Sequence, residues 1–218
     1  MKKDLVILFD LDGTLIDSTD AIVSTFYHAF KEQNFKFDGN DEDIKKHIGY
    51  PLDIMFANLG VDKHKVWDFV DSYKLRYRVI SKQQTQLLPN AIEAVELASK
   101  YARLGVVTTK TGLYSKELLE HMGIMHYFEC LIGRENVENP KPHPEPIYKA
   151  LEQMDINIEA NSNIWMVGDT KLDLISANDA GINSVGVTCG YGNSEELKHY
   201  TQNIVNNAYE AVDYIIKC

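Results

Sequence analysis

The sequence predicts an α/β fold in which helices cover both faces of a parallel sheet. Apolar runs of strand length recur at 5–9, 103–108, 128–133, 163–168 and 183–188. Such continuous apolar runs are typical of strands that are buried on both faces. Helical patterns separate the later runs, and this alternation favours a Rossmann-like parallel sheet.

Four helical patterns after residue 90 support the same fold. They lie at 91–101, 114–123, 144–154 and 172–181. Glycines in "HMGI" and "DAGI" stand where a helix should end before the next strand begins. Each strand therefore has a helix beside it to carry the chain back across the sheet.

One long segment breaks the alternation. Between the first two apolar runs the sequence shows four helical patterns and no strand pattern: "DAIVSTFYHAFKEQ", "DEDIKKHIG", "PLDIMFANLG" and "KHKVWDFVDSYKLRYRVI". We predict a four-helix domain at 17–88, inserted into an α/β domain that is formed by 1–16 and 89–218.

Composition limits the possible partners and location. The chain has 22 basic and 32 acidic residues, a net charge of -10, and this balance disfavours nucleic acid and anionic membranes. Three scattered cysteines indicate a reducing compartment rather than a disulfide framework. The N-terminal apolar run is too short for a signal peptide, and no run has the length of a membrane span. We expect a cytoplasmic protein.

Polar residues follow four of the predicted strands. They are Asp10 and Asp12, then Thr108, Thr109 and Lys110, then Lys141, and finally Asp169 and Asp173. Each alone has a simpler explanation, as a turn, a strand end, a solvated lysine or an acid in the first turn of a helix. Ligands bind at the carboxyl ends of the strands in open α/β sheets, so together these residues predict one site.

Their chemistry favours phosphoryl transfer. Clustered carboxylates repel each other unless a cation lies among them, and Mg²⁺ prefers oxygen ligands. A carboxylate can attack phosphorus and form an aspartyl-phosphate, while a lysine and a hydroxyl neutralise and bind the phosphoryl oxygens. Asp12 is a candidate acid and base, and Gly13 would let the loop backbone approach the phosphate.

Four motifs carry a resemblance to a known family. "DLDGTLIDS", "VVTTK", "KPHPEP" and "GDTKLDL" resemble, in order and spacing, the signatures of the haloacid dehalogenase superfamily in its phosphatase form. The later motifs are most similar to the phosphoglycolate phosphatase and small pyrophosphatase branch. One departure is "LPNAIEAV", which has Asn90 and Ala91 where the family usually has Pro-x-Gly.

The resemblance implies a role for each motif residue. Asp10 would be the nucleophile and a Mg²⁺ ligand, and Asp12 the acid and base, with its backbone carbonyl on the metal. Asp169 would be a further carboxylate ligand of the metal, and Asp173 would hold a metal-bound water. Gly13, Thr108, Thr109 and Lys141 would bind the phosphoryl group.

The same resemblance implies that 17–88 is a cap domain that closes over the site. "HIGYPL" resembles its substrate-facing loop, so Lys46, His47 and Tyr50 are candidate specificity residues. For Lys46 and His47 a solvated helix end is the alternative.

The expected activity is Mg²⁺-dependent hydrolysis of a small phosphorylated metabolite, with phosphoglycolate first. Inorganic pyrophosphatase and a phosphosugar phosphatase or mutase of the same superfamily stay open, as does a receiver-type phospho-acceptor that is not an enzyme. A receiver needs no inserted helices, and a true dehalogenase has no use for Asp12. The sequence leaves the oligomeric state undetermined.

Overall fold

A computed structural model describes residues 4–158 and 163–218. The strands, in chain order, are β1 (Leu5–Phe9), β2 (Ile16–Asp17), β3 (Gln86–Leu87), β4 (Ala102–Val107), β5 (Cys130–Ile132), β6 (Ile164–Gly168), β7 (Asn183–Val187) and β8 (Ile204–Val205). Six of them form one parallel sheet in the order β5-β4-β1-β6-β7-β8. The strands β2 and β3 form a separate two-stranded sheet.

The helices in the described ranges, in chain order, are α1 (Thr19–Glu32), α2 (Asp41–Lys45), α3 (Leu52–Asn58), α4 (Val66–Gln84), α5 (Ala91–Tyr101), α6 (Gly112–His121), α7 (Glu145–Gln153), α8 (Lys171–Ala180), α9 (Ser194–Leu197) and α10 (Ala208–Lys217). None of them combines the length and the apolar character that crossing a membrane requires.

Helices pack on both faces of the six-stranded sheet. The helices α7 and α8 contact each other and lie against β4 to β7, whereas α5 contacts α10 on the other face. Val6 and Leu8 of β1 belong to the same buried cluster as Ile147 of α7 and Ala177 of α8. Because side chains alternate along a strand, Ile7 and Phe9 point to the opposite face and are also fully buried. The predicted fold class is confirmed.

The five predicted strands are present, with small differences at their ends. The run at 128–133 narrows to Cys130–Ile132, because Met125–Tyr127 form a short 3₁₀ turn just before it. The structure adds β8, β2 and β3, each of two residues. Runs this short carry too little periodicity to be visible in the sequence.

The chain divides into two compact units. One unit combines the chain up to Asp17 with Leu87–Cys218 and contains the six-stranded sheet. The other, Ser18–Gln86, contains α1 to α4 and is called the helical unit below. The assignment of these units as catalytic domain and cap stays a prediction.

The helical unit has an aromatic core of its own. The rings of Phe26 and Phe56 lie 4.5 Å apart, and those of Phe26 and Tyr73 lie 5.0 Å apart. Phe30 and Phe69 join the same cluster. Aromatic side chains bury large areas, so this cluster packs α1, α3 and α4 against one another.

Candidate active site

Three neighbouring strands bring the predicted residues to one edge of the sheet. The strand β1 lies between β4 and β6, and all three run parallel. Asp10 continues β1, since its backbone N–H donates to the carbonyl of Val167 at 2.9 Å. Thr108 continues β4 in the same way, through a 2.9 Å bond to Ile132, and Asp169 follows β6 directly.

The ammonium group of Lys141 connects three of these elements. It donates to Asp10 Oδ1 at 2.8 Å, to the carbonyl of Val107 at 2.8 Å and to Asp173 Oδ1 at 2.5 Å. Lys141 is only 3% exposed, and Asp173 is fully buried. An ammonium has three donors. All three have acceptors here, so a contact between Lys141 and a bound phosphoryl group would replace one of them.

The side chain of Asp173 also caps the first turn of helix α8. The second carboxylate oxygen, Oδ2, accepts from the backbone N–H of Thr170 at 3.0 Å and from its hydroxyl at 2.8 Å. This reciprocal arrangement is a capping box, which satisfies two donors at the first turn of a helix. It also fixes the direction in which Oδ1 points.

Asp169 is held from two loops. The hydroxyl of Thr14 donates to Oδ1 at 3.0 Å, and the backbone N–H of Tyr191 donates to Oδ2 at 2.8 Å. Asp169 is fully buried. Both carboxylate oxygens therefore have fixed positions at the end of β6.

Burial dominates the electrostatics of this group. It raises the pKa of Asp10 from 3.8 to about 7, although Lys141 acts in the opposite direction. Burial also raises the pKa of Asp169 well above its usual value, and the charges of Asp10 and Asp173 add to this effect. For Lys141, burial acts to lower the pKa, but the two neighbouring carboxylates outweigh it and the pKa is raised.

These residues fit a divalent cation. Carboxylate oxygens of Asp10, Asp169 and Asp173 all lie within 4.8 Å of one another. Three ionised carboxylates and one ammonium leave two negative charges, which is the charge that a divalent cation balances. The raised pKa values express the cost of ionising this buried group without such a cation. The predicted ligand set is thus brought together, and the identity of the ion stays a prediction.

The carboxylate of Asp12 lies outside that group of three and pairs with the ammonium of Lys110. Lys110 Nζ lies 2.9 Å from Asp12 Oδ2, and the two side chains are 10% and 12% exposed. The sequence predicts a metal contact of Asp12 through its backbone carbonyl and an acid–base role of its side chain, and both stay predictions.

Gly13 has a backbone that only glycine adopts readily, with φ +83°. A Cβ at this position would collide with the carboxylate of Asp169. The loop after β1 therefore approaches the Asp169 side chain as closely as its backbone permits.

The predicted phosphate-binding threonines lie at the end of β4. Thr108 is 5% exposed, and its hydroxyl accepts from the backbone N–H of Lys110 at 3.2 Å. Thr109 is half-buried in the same turn. Their assignment to phosphate binding stays a prediction.

The three candidate specificity residues belong to the helical unit. Lys46 follows α2 and forms an exposed ion pair with Asp43 at 2.7 Å. His47 is half-buried, and burial together with the charge of Lys46 lowers its pKa. Its ring lies 6.4 Å from that of Tyr50. A role of these residues in substrate choice stays a prediction.

Three residues at the site had no role in the sequence-based prediction. Lys110 was recognised at a strand end, but its pairing with Asp12 depends on β4 lying beside β1. Thr14 lies within the first motif, and Tyr191 lies in "GYGN", which follows β7. The rule that polar and glycine-rich residues after a strand form the site would have found Tyr191 as well.

Comparisons with known proteins agree with this geometry. Residues 7–187 match the family model described as haloacid dehalogenase-like hydrolase. The chain is 32% identical to a probable phosphatase, IndB, from Dickeya dadantii, over 95% of this chain and 91% of that protein. It is 28% identical to a phosphoglycolate phosphatase from Colwellia psychrerythraea, over 92% and 91% of the two chains.

A pyrophosphatase, PpaX, from Anoxybacillus flavithermus is 32% identical, over 89% of this chain and 88% of that one. The crystal structure of a predicted phosphatase from Clostridium acetobutylicum superposes with a TM-score of 0.88 at 26% identity, over 100% of both chains. The family model covers most of the sheet-containing unit and all of the helical unit. This chain therefore belongs to the haloacid dehalogenase-like hydrolase family.

Proposed function

We propose that this phosphatase is Mg²⁺-dependent and hydrolyses a small phosphomonoester through an aspartyl-phosphate on Asp10. One observation carries the proposal. The carboxylate of Asp10 is buried at the end of the central strand, 2.8 Å from the ammonium of Lys141 and within 4.8 Å of the Asp169 and Asp173 carboxylates. A carboxylate in that setting is oriented for attack on an electrophile that enters from the strand ends.

In the first half-reaction an oxygen of Asp10 forms a bond to phosphorus as the bond from phosphorus to the ester oxygen breaks. The leaving oxygen takes a proton from Asp12, which the contact with Lys110 holds in place. The hydroxyl of Thr108 and the charge of Lys141 stabilise the phosphoryl oxygens.

In the second half-reaction Asp12 takes a proton from water as that water attacks phosphorus. The bond between phosphorus and Asp10 breaks, phosphate leaves, and Asp10 returns as a carboxylate. Asp10, Asp169 and the carbonyl of Asp12 would hold Mg²⁺, with Asp173 holding a metal-bound water, and the ion would supply positive charge that neutralises the phosphoryl oxygens.

Phosphoglycolate is the first candidate substrate and pyrophosphate the second. Relatives with both names are about equally similar to this chain, at 28% and 32% identity. We assign the helical unit as a cap that admits small, highly charged phosphates, with Lys46, His47 and Tyr50 as specificity residues. Closure of such a cap excludes water during the attack by Asp10.

A phosphosugar phosphatase or mutase is the second candidate function within the family. A mutase keeps the aspartyl-phosphate but returns the phosphoryl group to a sugar. Since the chain belongs to a hydrolase family, the receiver-type alternative is set aside. The cytoplasmic location stays a prediction.

A phosphate-release screen tests the proposed substrate class. Phosphoglycolate, pyrophosphate and several phosphosugars are supplied with Mg²⁺ or with excess chelator, and Asp10→Asn serves as the inactive reference. We expect release only with Mg²⁺, and fastest from phosphoglycolate. A kcat/KM about 100-fold higher for a phosphosugar, equivalent to about 2.7 kcal/mol, would contradict the substrate assignment but leave the mechanism standing.

Chemical trapping tests the covalent step separately. Acid quenching of a radiolabelled-phosphate reaction should trap label on the protein, and Asp10→Asn should trap none. Turnover without any trapped label in rapid-quench samples would reject the covalent intermediate.

A further inference from the structure

Helix α4 of the helical unit has an exposed apolar face. Trp67, Leu75 and Val79 are 59%, 71% and 69% exposed. Their spacing of eight and four residues places them on one side of the helix. The opposite side carries Tyr73 and Tyr77, which are buried. Large exposed apolar side chains that share one helix face make that face a candidate interaction surface.

The charges on this face are arranged in two halves. Its N-terminal half carries Asp68 and Asp71, and its C-terminal half carries Arg78 and Lys82, all of them exposed. Leu75 lies between the halves. Asp68 precedes Leu75 by seven residues and Lys82 follows it by seven, while Asp71 and Arg78 lie four before and three after. Turning the helix end for end about Leu75 therefore brings the acidic positions close to where the basic positions were.

We propose that this face binds the same face of a second copy of the chain, with the two α4 helices antiparallel and a two-fold axis at Leu75. An isologous contact of this kind places each residue opposite the position equally far from the axis. Asp68 then faces the Lys82 of the other copy, and Asp71 lies next to its Arg78. A parallel arrangement would instead place acid opposite acid and base opposite base.

The size of the face predicts a reversible dimer. A helix of 19 residues is about 28 Å long at 1.5 Å per residue. A contact along that length buries roughly 1,000 Å² in total, at the lower limit for a specific interface. We expect a dissociation constant in the micromolar range or weaker. The proposal is independent of the proposed function.

Sedimentation equilibrium of the full chain, from about 1 to 200 µM, tests the dimer. In the proposed dimer residue 75 of one copy faces residue 75 of the other, so Leu75→Lys would place two positive charges together. This variant should weaken dimerisation at least 10-fold. Leu113→Lys is the matched control, because Leu113 is another exposed leucine, 54% exposed on α6. A chain that stays monomeric throughout, or a dimer that Leu75→Lys leaves intact, overturns the proposal.

A charge exchange tests the antiparallel register. Asp68→Lys and Lys82→Asp should each weaken the dimer, because each places like charges opposite one another. The double variant should restore most of the lost affinity. The two positions are about 21 Å apart along one helix, too far to pair within one copy. Failure of the double variant to restore affinity overturns the proposed pairing.

Discussion

Lys141 provides the charge that allows the carboxylates to be buried without a cation, and its replacement gives the sharpest test of the site. The change Lys141→Met keeps most of the length of the side chain and removes its charge and its three donors. Asp10 and Asp173 then lose their ion pairs, and the carbonyl of Val107 loses its donor.

The expected loss of stability is large. Removing one partner of a buried ion pair costs about 3–5 kcal/mol, because the other partner stays buried and uncompensated. One kcal/mol shifts the melting temperature by about 2–4 °C in a protein of 150–250 residues. For this chain of 218 residues we expect a drop of about 6–20 °C in chelator near pH 8.

The loss should depend on pH. Lys141 lowers the pKa of Asp10, so its removal raises that pKa above about 7. A carboxyl whose pKa is raised by folding stabilises the folded chain at low pH and loses that contribution as the pH rises through the raised value. The difference in melting temperature between wild type and Lys141→Met should therefore shrink at about pH 6.

Thermal melts followed by circular dichroism measure both effects. Lys116→Met is the matched control, since Lys116 is 59% exposed and its pair with Glu120 is 3.9 Å long. Such surface pairs contribute about 0–1 kcal/mol, so the control should melt close to wild type. A Lys141→Met variant that also melts within about 2 °C of wild type near pH 8 would refute the argument that Lys141 compensates this buried charge.

Further predictions concern the metal, the acid–base pair and the helical unit. Because burial raises the pKa values of Asp10 and Asp169, protons compete with a cation for these carboxylates at low pH. Mg²⁺ should therefore raise the melting temperature more near pH 8 than near pH 5.5, and an equal rise at both would count against the site. Asp12→Asn should lower kcat by about 10²–10⁴-fold. Lys110→Met should lower kcat by about 10- to 100-fold with less effect on KM, because it removes only the residue that positions Asp12. An unchanged kcat would exclude a positioning role for Lys110. A chain without 18–86 should, if folded, cleave an activated aryl phosphate slowly and show no preference among small esters.

The main strands and the positions of Asp10, Thr108 and Asp169 are predictable for a physical reason, whereas Lys141 lies nine residues after β5 and is marked by its motif. A strand buried on both faces leaves a continuous apolar run, and the polar residue that follows it marks the carboxyl end of the strand. Signals of this kind are local in the sequence. The resemblance added the roles, which no spacing could supply.

Contacts between distant segments were not predictable in this way. The pairing of Lys110 with Asp12, and that of Thr14 and Tyr191 with Asp169, depends on which strands are neighbours. A left-handed backbone at Asn90, with φ 64°, similarly appears only in the structure. Asparagine tolerates that conformation better than most residues.

The insertion point of the helical unit has a consequence for how such proteins diverge. The backbone N–H of Leu88 donates to the carbonyl of Leu15 at 3.0 Å, so the chain leaves and re-enters the sheet-containing unit at one place. The entropy of closing a loop grows only slowly with its length. Recombination can therefore replace the whole segment between these residues by a shorter or longer one while the six-stranded sheet folds as before. If the helical unit selects the substrate, as proposed above, new substrate ranges arise at this point without a single change among the aspartates.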